Sequence, residues 1–286
     1  MGRKKIFGLV FFLLALSAVF GFSRFAKTEK QDISVQKSQG SVENVQGQPV
    51  VVTQVAPLAS DIVEPEKVIS SAVPIFMYHY IRAYSNPADP IGENLSVSPQ
   101  KFEEQLSWLK RNNYATVFSG YFKNPKAVAA KPIILTFDDG YQDAYDSAFS
   151  LLQKYQMTGM FYLIVNKIGT PGYLTWEEIL EMQKAGMMFG SHTLTHSDLR
   201  NLSPVNLEKE IKESREILTQ KLGQEVTDFC YPSGKYSDTV LAEVKKDKYQ
   251  TAVTTNSGIS SLKDDPFLLK RLRIVEKTNV EAILGK

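Results

Sequence analysis

From about residue 73 onward the chain alternates between short apolar runs and longer segments whose apolar residues recur three or four positions apart. The runs predict β-strands at 73–81, 115–119, 132–137, 160–165, 187–191, 227–231, 251–255 and 268–275. Helix signals fall between them. Ser98-Pro99 starts a helix that carries Phe102, Leu106 and Leu109 at helical spacing. Thr175-Trp176-Glu177-Glu178 is a capping box, and Gly186 closes its helix. Ser203-Pro204 opens a charged helix that ends near Gly223. Apolar strands that alternate with helices predict a parallel α/β fold. About eight of them favour a closed barrel over an open sheet. No internal repeat is present.

Ahead of this body the pattern differs. Arg3, Lys4 and Lys5 precede an unbroken apolar run at 6–22, and Arg24 and Lys27 follow it. A basic start and an apolar core predict an export signal over residues 1–26, either cleaved or kept as a membrane anchor. Residues 27–72 are rich in Gln, Ser, Val and Glu, with no aromatic residue between Phe25 and Phe76. Such a stretch buries too little apolar surface to offset its ordering entropy, and it predicts a flexible linker. The expectation is therefore an extracytoplasmic body, residues 73–286, secreted or tethered to a membrane.

Composition narrows the function. Hydrophobic residues are 43 % and charged residues 22 %, with a formal net charge of +2, which gives no reason to expect nucleic acid as a partner. The single cysteine, Cys230, excludes an intramolecular disulfide and a zinc site built on several thiolates. Polar residues then collect where predicted strands end, as chemistry does in a barrel: His79, Asp138-Asp139, His192, and Tyr231-Pro232-Ser233-Gly234. Two adjacent carboxylates repel each other and are costly to bury without a positive partner. His192 and His196 share one face if their segment turns helically. Two imidazoles and a carboxylate make an ordinary set for zinc, and suit cobalt or nickel as well. One aspartate then ligates the cation while the other stays ionised as a general base, with an open position left for water. In the 231–234 turn Pro232 has no N–H, so Ser233 is the candidate backbone donor to an oxyanion.

These motifs resemble the NodB-type polysaccharide deacetylases over residues 73 to 275. "TFDDG" at 136–140 matches the first motif of that family, and "SHTLTH" at 191–196 its histidine motif. "MYHYI" at 77–81 and "SVSPQKFEEQLSWLK" at 96–110 are similar to the branch that includes the poly-N-acetylglucosamine deacetylases. The resemblance implies a distorted (β/α) barrel with Asp138 as base, and Asp139, His192 and His196 as ligands of a divalent metal. It implies the Ser233 N–H as an oxyanion donor. The implied reaction removes N-acetyl groups from poly-N-acetylglucosamine, peptidoglycan or chitin-like polymers, performed by a monomer outside the cytoplasm. An O-acetyl polysaccharide esterase of the same fold, and a non-catalytic carbohydrate-binding module, are the competing readings; the intact Asp and His set speaks against the second.

The chain also departs from the family. Many relatives carry Arg and Tyr where this chain has Cys230 and Ser233, and no histidine follows His196 to act as general acid. His79, a water or the metal-bound species takes that role in this reading. Tyr141, Trp176, Tyr231 and Arg271 are expected at the substrate, with Arg271 or Arg273 alternatively orienting Asp138. Cys230 is expected to be inert packing.

Overall fold

Strand β1, Ile75–Tyr78, is buried at every position, as a strand covered on both faces must be. The computed structural model describes residues 69–285 other than residue 129, so the expected export signal at 1–26, and the expected linker up to residue 68, lie outside the described residues. The seven strands that follow are β2 Tyr114–Thr116, β3 Lys131–Phe137, β4 Met160–Leu163, β5 Met188–Ser191, β6 Asp228–Cys230, β7 Thr251–Ser257 and β8 Leu269–Arg273.

All eight predicted strands exist, but they do not form an eight-membered ring. The sheet runs β1-β8-β7-β6-β5-β4-β3 in parallel and closes where β3 pairs back onto β1, with Ile75 opposite Ile134 and Tyr78 opposite Phe137. The barrel thus has seven staves. Strand β2 pairs only with β3, outside the ring, where Tyr114 faces Lys131. The first predicted strand, 73–81, is broken into pieces. Ala72–Val73 pairs antiparallel with Ser260–Ser261, and Tyr80–Ile81 pairs with Ser96–Val97, leaving His79 unpaired between ladders. Contacts of the body begin before residue 73, since the Ser70 N–H donates to the Tyr121 hydroxyl at 3.0 Å.

Alternation along the strands divides the core in two. Ile75, Ile134, Met160, Cys230, Val253 and Leu269 fill the inside of the ring. Phe76, Tyr78, Leu135, Phe137, Phe161 and Phe189 face the helices outside it. Two residues beyond Leu269 on the same inward face of β8 comes Arg271, and two beyond Ile134 on β3 comes Thr136. The upper interior is therefore polar where the lower interior is apolar.

Helix α1, Pro99–Arg111, starts as predicted, with the Ser98 side chain accepting from the Lys101 N–H, and it buries Phe102, Leu106 and Leu109. Helix α2, Trp176–Lys184, has both hydrogen bonds of the capping box between Thr175 and Glu178. The predicted charged helix at 204–222 is interrupted by a wide turn at Lys209–Glu213. Such turns often mark functional positions, and this one carries Glu210.

Candidate active site

Asp138 continues β3 directly, and its N–H donates to the Tyr78 carbonyl at 3.0 Å across the closing seam. The next two residues are left-handed, Asp139 at φ 74° and Gly140 at φ 79°. Aspartate tolerates that conformation at modest cost. Position 140 favours glycine, because a side chain is strained at that φ and its Cβ would push on Leu163 Cδ2 at 2.9 Å. The turn sends the paired carboxylates apart, and each finds its own partners.

Asp138 is 3 % exposed and meets Arg271, itself 1 % exposed, in a two-pronged pair with both N···O distances 2.7 Å. The guanidinium is fixed on its other sides. Nε donates to Thr254 O at 2.9 Å, Nη1 also to Thr136 Oγ1 at 3.0 Å, and Nη2 also to Cys230 Sγ at 3.3 Å. Burial alone would raise the Asp138 carboxyl; the charge and hydrogen bonds of Arg271 outweigh it and hold the group well below the usual carboxylate range. Asp138 is thus kept ionised at neutral pH inside a closed barrel.

Asp139 faces the loop after β5. Its Oδ1 lies 3.4 Å from His192 Nε2 and 3.7 Å from His196 Nε2. Burial raises its carboxyl too, and the hydrogen bond and charge of His192 overcome that to leave it lowered. The histidines do not share a helical face. Thr193 and His196 are left-handed, at φ 68° and 64°, so a loop brings the rings to a centroid separation of 4.7 Å. Side chains set that loop. Thr193 Oγ1 accepts from the His196 N–H at 3.0 Å, and Ser191 Oγ from the Thr193 N–H at 3.1 Å. The Glu210 carboxylate accepts from the Thr195 N–H at 2.9 Å and the Thr195 hydroxyl at 2.5 Å.

His192 Nδ1 lies 2.8 Å from the Cys230 carbonyl. A carbonyl only accepts, so Nδ1 carries a proton, and Nε2 is the ring atom that faces Asp139; burial lowers the imidazole, and the charge and hydrogen bonds of Asp139 and the Cys230 backbone outweigh it and raise the group. One ligand atom from each of Asp139, His192 and His196 lies within 4.8 Å of the others. Two nitrogens and an oxygen converging with a fixed tautomer are compatible with a divalent metal site.

Other expected site residues divide. His79 Nε2 stands 3.9 Å from Asp138 Oδ2. Burial lowers its imidazole more than Asp138 and Asp139 raise it, so it is neutral at pH 7. Ser233 is exposed and left-handed at φ 54°. The turn around it ties the Gly234 N–H to Tyr231 O at 2.8 Å and the Lys235 N–H to Pro232 O at 3.0 Å. A Cβ at Gly234 would lie 2.0 Å from Thr255 Oγ1, so the turn is pressed onto β7. Tyr141 is half-buried and stacked on Tyr80 at 3.8 Å; burial and the charge of Asp139 raise its phenol.

Three expectations are corrected. Arg271 is not available to substrate, because it is buried against Asp138. Tyr231 is fully buried between Phe229 and Tyr236, at 5.2 and 5.3 Å, because alternation turns Cys230 inward and Tyr231 outward into the helical layer. Cys230 is buried as expected but touches the site, with Sγ 3.6 Å from Asp138 Oδ2. Trp176 opens α2, packs on the outer core and has Lys221 Nζ 5.5 Å above its ring, contacts that do not bring it to the carboxylates. Thr136, Thr193, Ser191 and Glu210 form the site's support and had no sequence signal beyond being ordinary polar residues.

The sequence profile of the family described as Polysaccharide deacetylase matches residues 126–252. YxkH of Bacillus subtilis, a protein named as a polysaccharide deacetylase, is 33 % identical over 206 residues, which is 71 % of each chain. The chain belongs to the polysaccharide deacetylase family. The Streptococcus pyogenes deacetylase PplD, solved in complex with acetate, superposes with a TM-score of 0.70 at 34 % identity, covering 77 % of this chain and 98 % of that one. The poly-beta-1,6-N-acetyl-D-glucosamine N-deacetylase of Staphylococcus aureus is 28 % identical over 210 residues, 64 % of this chain and 71 % of its own length. The profile match of this polysaccharide deacetylase ends before β8, so the arginine that holds Asp138 lies beyond it.

Proposed function

We propose that the chain is a metal-dependent deacetylase that removes N-acetyl groups from N-acetylglucosamine-containing polysaccharide outside the cytoplasm. The observation that carries this reading is the segregation of the aspartate pair, one carboxylate locked to a buried guanidinium and the other facing two imidazoles. Asp139, His192 and His196 would hold the ion, zinc by ligand type, with cobalt or nickel also suited. When bound, it supplies Lewis-acid polarisation of the acetyl oxygen.

The protein's own groups do the rest. Asp138, ionised and fixed by Arg271, accepts a proton from the water that attacks the acetyl carbon. The Ser233 N–H, exposed on its turn, donates to the oxyanion that develops. Breaking the C–N bond then releases acetate and requires a proton on the departing amine. Asp138 holds that proton beside His79, which passes it on. Poly-N-acetylglucosamine is supported as substrate by the named activity of the S. aureus relative. The basic residues at 3–5 with the apolar run at 6–22 support export, followed by membrane attachment or secretion.

The test is acetate release by the metal-loaded protein from poly-N-acetylglucosamine, peptidoglycan, chitin oligomers and O-acetylated xylan. Release from an N-acetylated polymer is expected. Release from the xylan alone would replace this reading with an O-acetyl esterase, and release from none would overturn it.

A further inference from the structure

The two histidines of the site are held by different means. His192 is buried and pinned, with Nδ1 2.8 Å from the Cys230 carbonyl and its N–H donating to the Leu163 carbonyl at 2.9 Å. His196 lacks such a pin. Its side chain is 34 % exposed, and among the described residues its ring is within ion-pair or hydrogen-bond reach only of Asp139, at 3.7 Å, and of its own backbone. The backbone of residues 193–196 therefore decides where that ring stands.

That backbone is strained. Thr193, a β-branched residue, and His196 are both left-handed, a conformation that persists only where the surroundings over-determine it. The first half of the loop is tied to the end of β4. There the Val165 N–H donates to the Thr193 carbonyl at 3.1 Å, and the Asn166 N–H to the Leu194 carbonyl at 3.0 Å. The second half is tied to Glu210. Its Oε2 accepts from the Thr195 N–H at 2.9 Å and its Oε1 from the Thr195 hydroxyl at 2.5 Å. Both partners are donors, so each needs an acceptor, which a carboxylate offers at both atoms and an amide does not. Ser197 Oγ, 2.7 Å from the same hydroxyl, belongs to the loop itself. Beyond His196 the chain is tied by exposed pairs, Asp198 with Arg200 and Lys235, which fix little in water.

Glu210 comes from the wide turn Lys209–Glu213 of the helical segment over residues 204–222. One helical repeat further on, Ser214 Oγ lies 2.7 Å from Ser191 Oγ, which in turn accepts from the Thr193 N–H at 3.1 Å. Positions 210 and 214 share a helical face. That face thus grips Ser191, which precedes His192, and Thr195, which precedes His196. The grip on Thr195 contributes little to the fold. Thr195 faces solvent although Glu210 is buried, so water can take over both donors when the carboxylate is removed. What is lost is the placement of the loop.

We propose that Glu210 is a positioning residue for His196, and that through Thr195 it sets how tightly Asp139, His192 and His196 bind their divalent ion. This role rests on the metal-dependent reading above and belongs to a residue outside the ligand set. A ligand that is not already placed must be ordered at the moment of binding, which weakens the site.

The test is the zinc affinity of the full chain, measured by competition with a chromophoric chelator. The absorption spectrum of the cobalt-loaded protein and the melting temperature of the metal-free protein are recorded alongside. Glu210→Ala is expected to weaken zinc binding about 10–100-fold and to alter the cobalt spectrum. Glu210→Gln, which keeps one acceptor, should fall between Glu210→Ala and the parent. Thr195→Val removes the hydroxyl alone and should also weaken binding; added to Glu210→Ala it should cost little more, because both act through one contact. Leu218→Ala empties a buried position of the same segment, about two turns beyond Glu210. It should lower the melting temperature more than Glu210→Ala does and leave zinc affinity within about twofold of the parent. A parent that binds zinc while Glu210→Ala binds it equally well overturns this role and leaves the metal-dependent reading standing. A loss of affinity that Leu218→Ala reproduces in full overturns it too. A parent that binds neither zinc nor cobalt overturns the metal-dependent reading and this role together.

Discussion

Replacing Arg271 with methionine removes the only cation within hydrogen-bonding distance of Asp138 among the described residues while keeping a long apolar stem. Both partners are almost wholly buried, so the variant leaves an uncompensated carboxylate, a loss of about 3–5 kcal/mol where such pairs have been broken. For a body of this size that corresponds to a fall in melting temperature of roughly 6–20 °C. The pH behaviour should change as well. In the parent, Asp138 has a lowered pKa, so its stabilising contribution is present above the unfolded value of about 3.9 and is lost as pH falls through the lower folded value. Without Arg271, burial dominates and the carboxyl rises above its ordinary value instead. The acid limb of kcat/KM for acetate release should therefore move to higher pH, with metal content unchanged by elemental analysis. Arg271→Lys keeps the charge without the fork, and should restore part of the pH profile but little of the stability. An acid limb that stays in place in Arg271→Met would refute the claim that Arg271 keeps Asp138 ionised.

Asp139→Ala, His192→Ala and His196→Ala should each abolish acetate release and cut bound divalent metal, read by elemental analysis, while circular dichroism shows the fold intact. Asp138→Asn should retain metal and lose turnover by about 10²–10⁴-fold; equal metal loss in Asp138→Asn and Asp139→Asn would mean that the pair ligates jointly. Burial raises the Asp143 carboxyl to about 6, and its Oδ1 has no hydrogen-bond partner among the described residues. Its stabilising contribution is thus complete below about pH 4 and lost as pH rises through about 6. Asp143→Asn should flatten the dependence of melting temperature on pH across that window, and an unchanged slope would contradict the assignment.

The eight strands and the cluster of Asp139, His192 and His196 were legible because their signals are local. Apolar runs between capping motifs mark the strands, and Asp139, His192 and His196 lie in short dense motifs. The ring number was not legible, since a strand that pairs on one side only, as β2 does, reads in sequence like a stave. The conformation of the histidine loop was not legible, because spacing alone does not reveal the left-handed turns at Thr193 and His196. At position 271 the sequence offers a strand-end arginine for the substrate or, alternatively, for Asp138. Only its inward register beside Leu269, and the closure that brings β8 next to β1, show that it is buried beside Asp138. Glu210 is one acid among many on a charged helix, and only the wide turn at Lys209–Glu213 turns it to the loop.

The pair between Asp138 and Arg271 spans 133 residues. Closing so long a loop is entropically demanding and belongs to the slow, non-local part of folding. A chain still lacking β8 therefore has its carboxylate in place with no countercharge, and its ring open between β7 and β1. Completion of the barrel and neutralisation of its buried carboxylate become one event, arriving with the last strand. Truncation upstream of Arg271 should not yield a weakened protein with a residual rate of acetate release; it should yield none, because the final stave both shuts the barrel and brings the countercharge of Asp138.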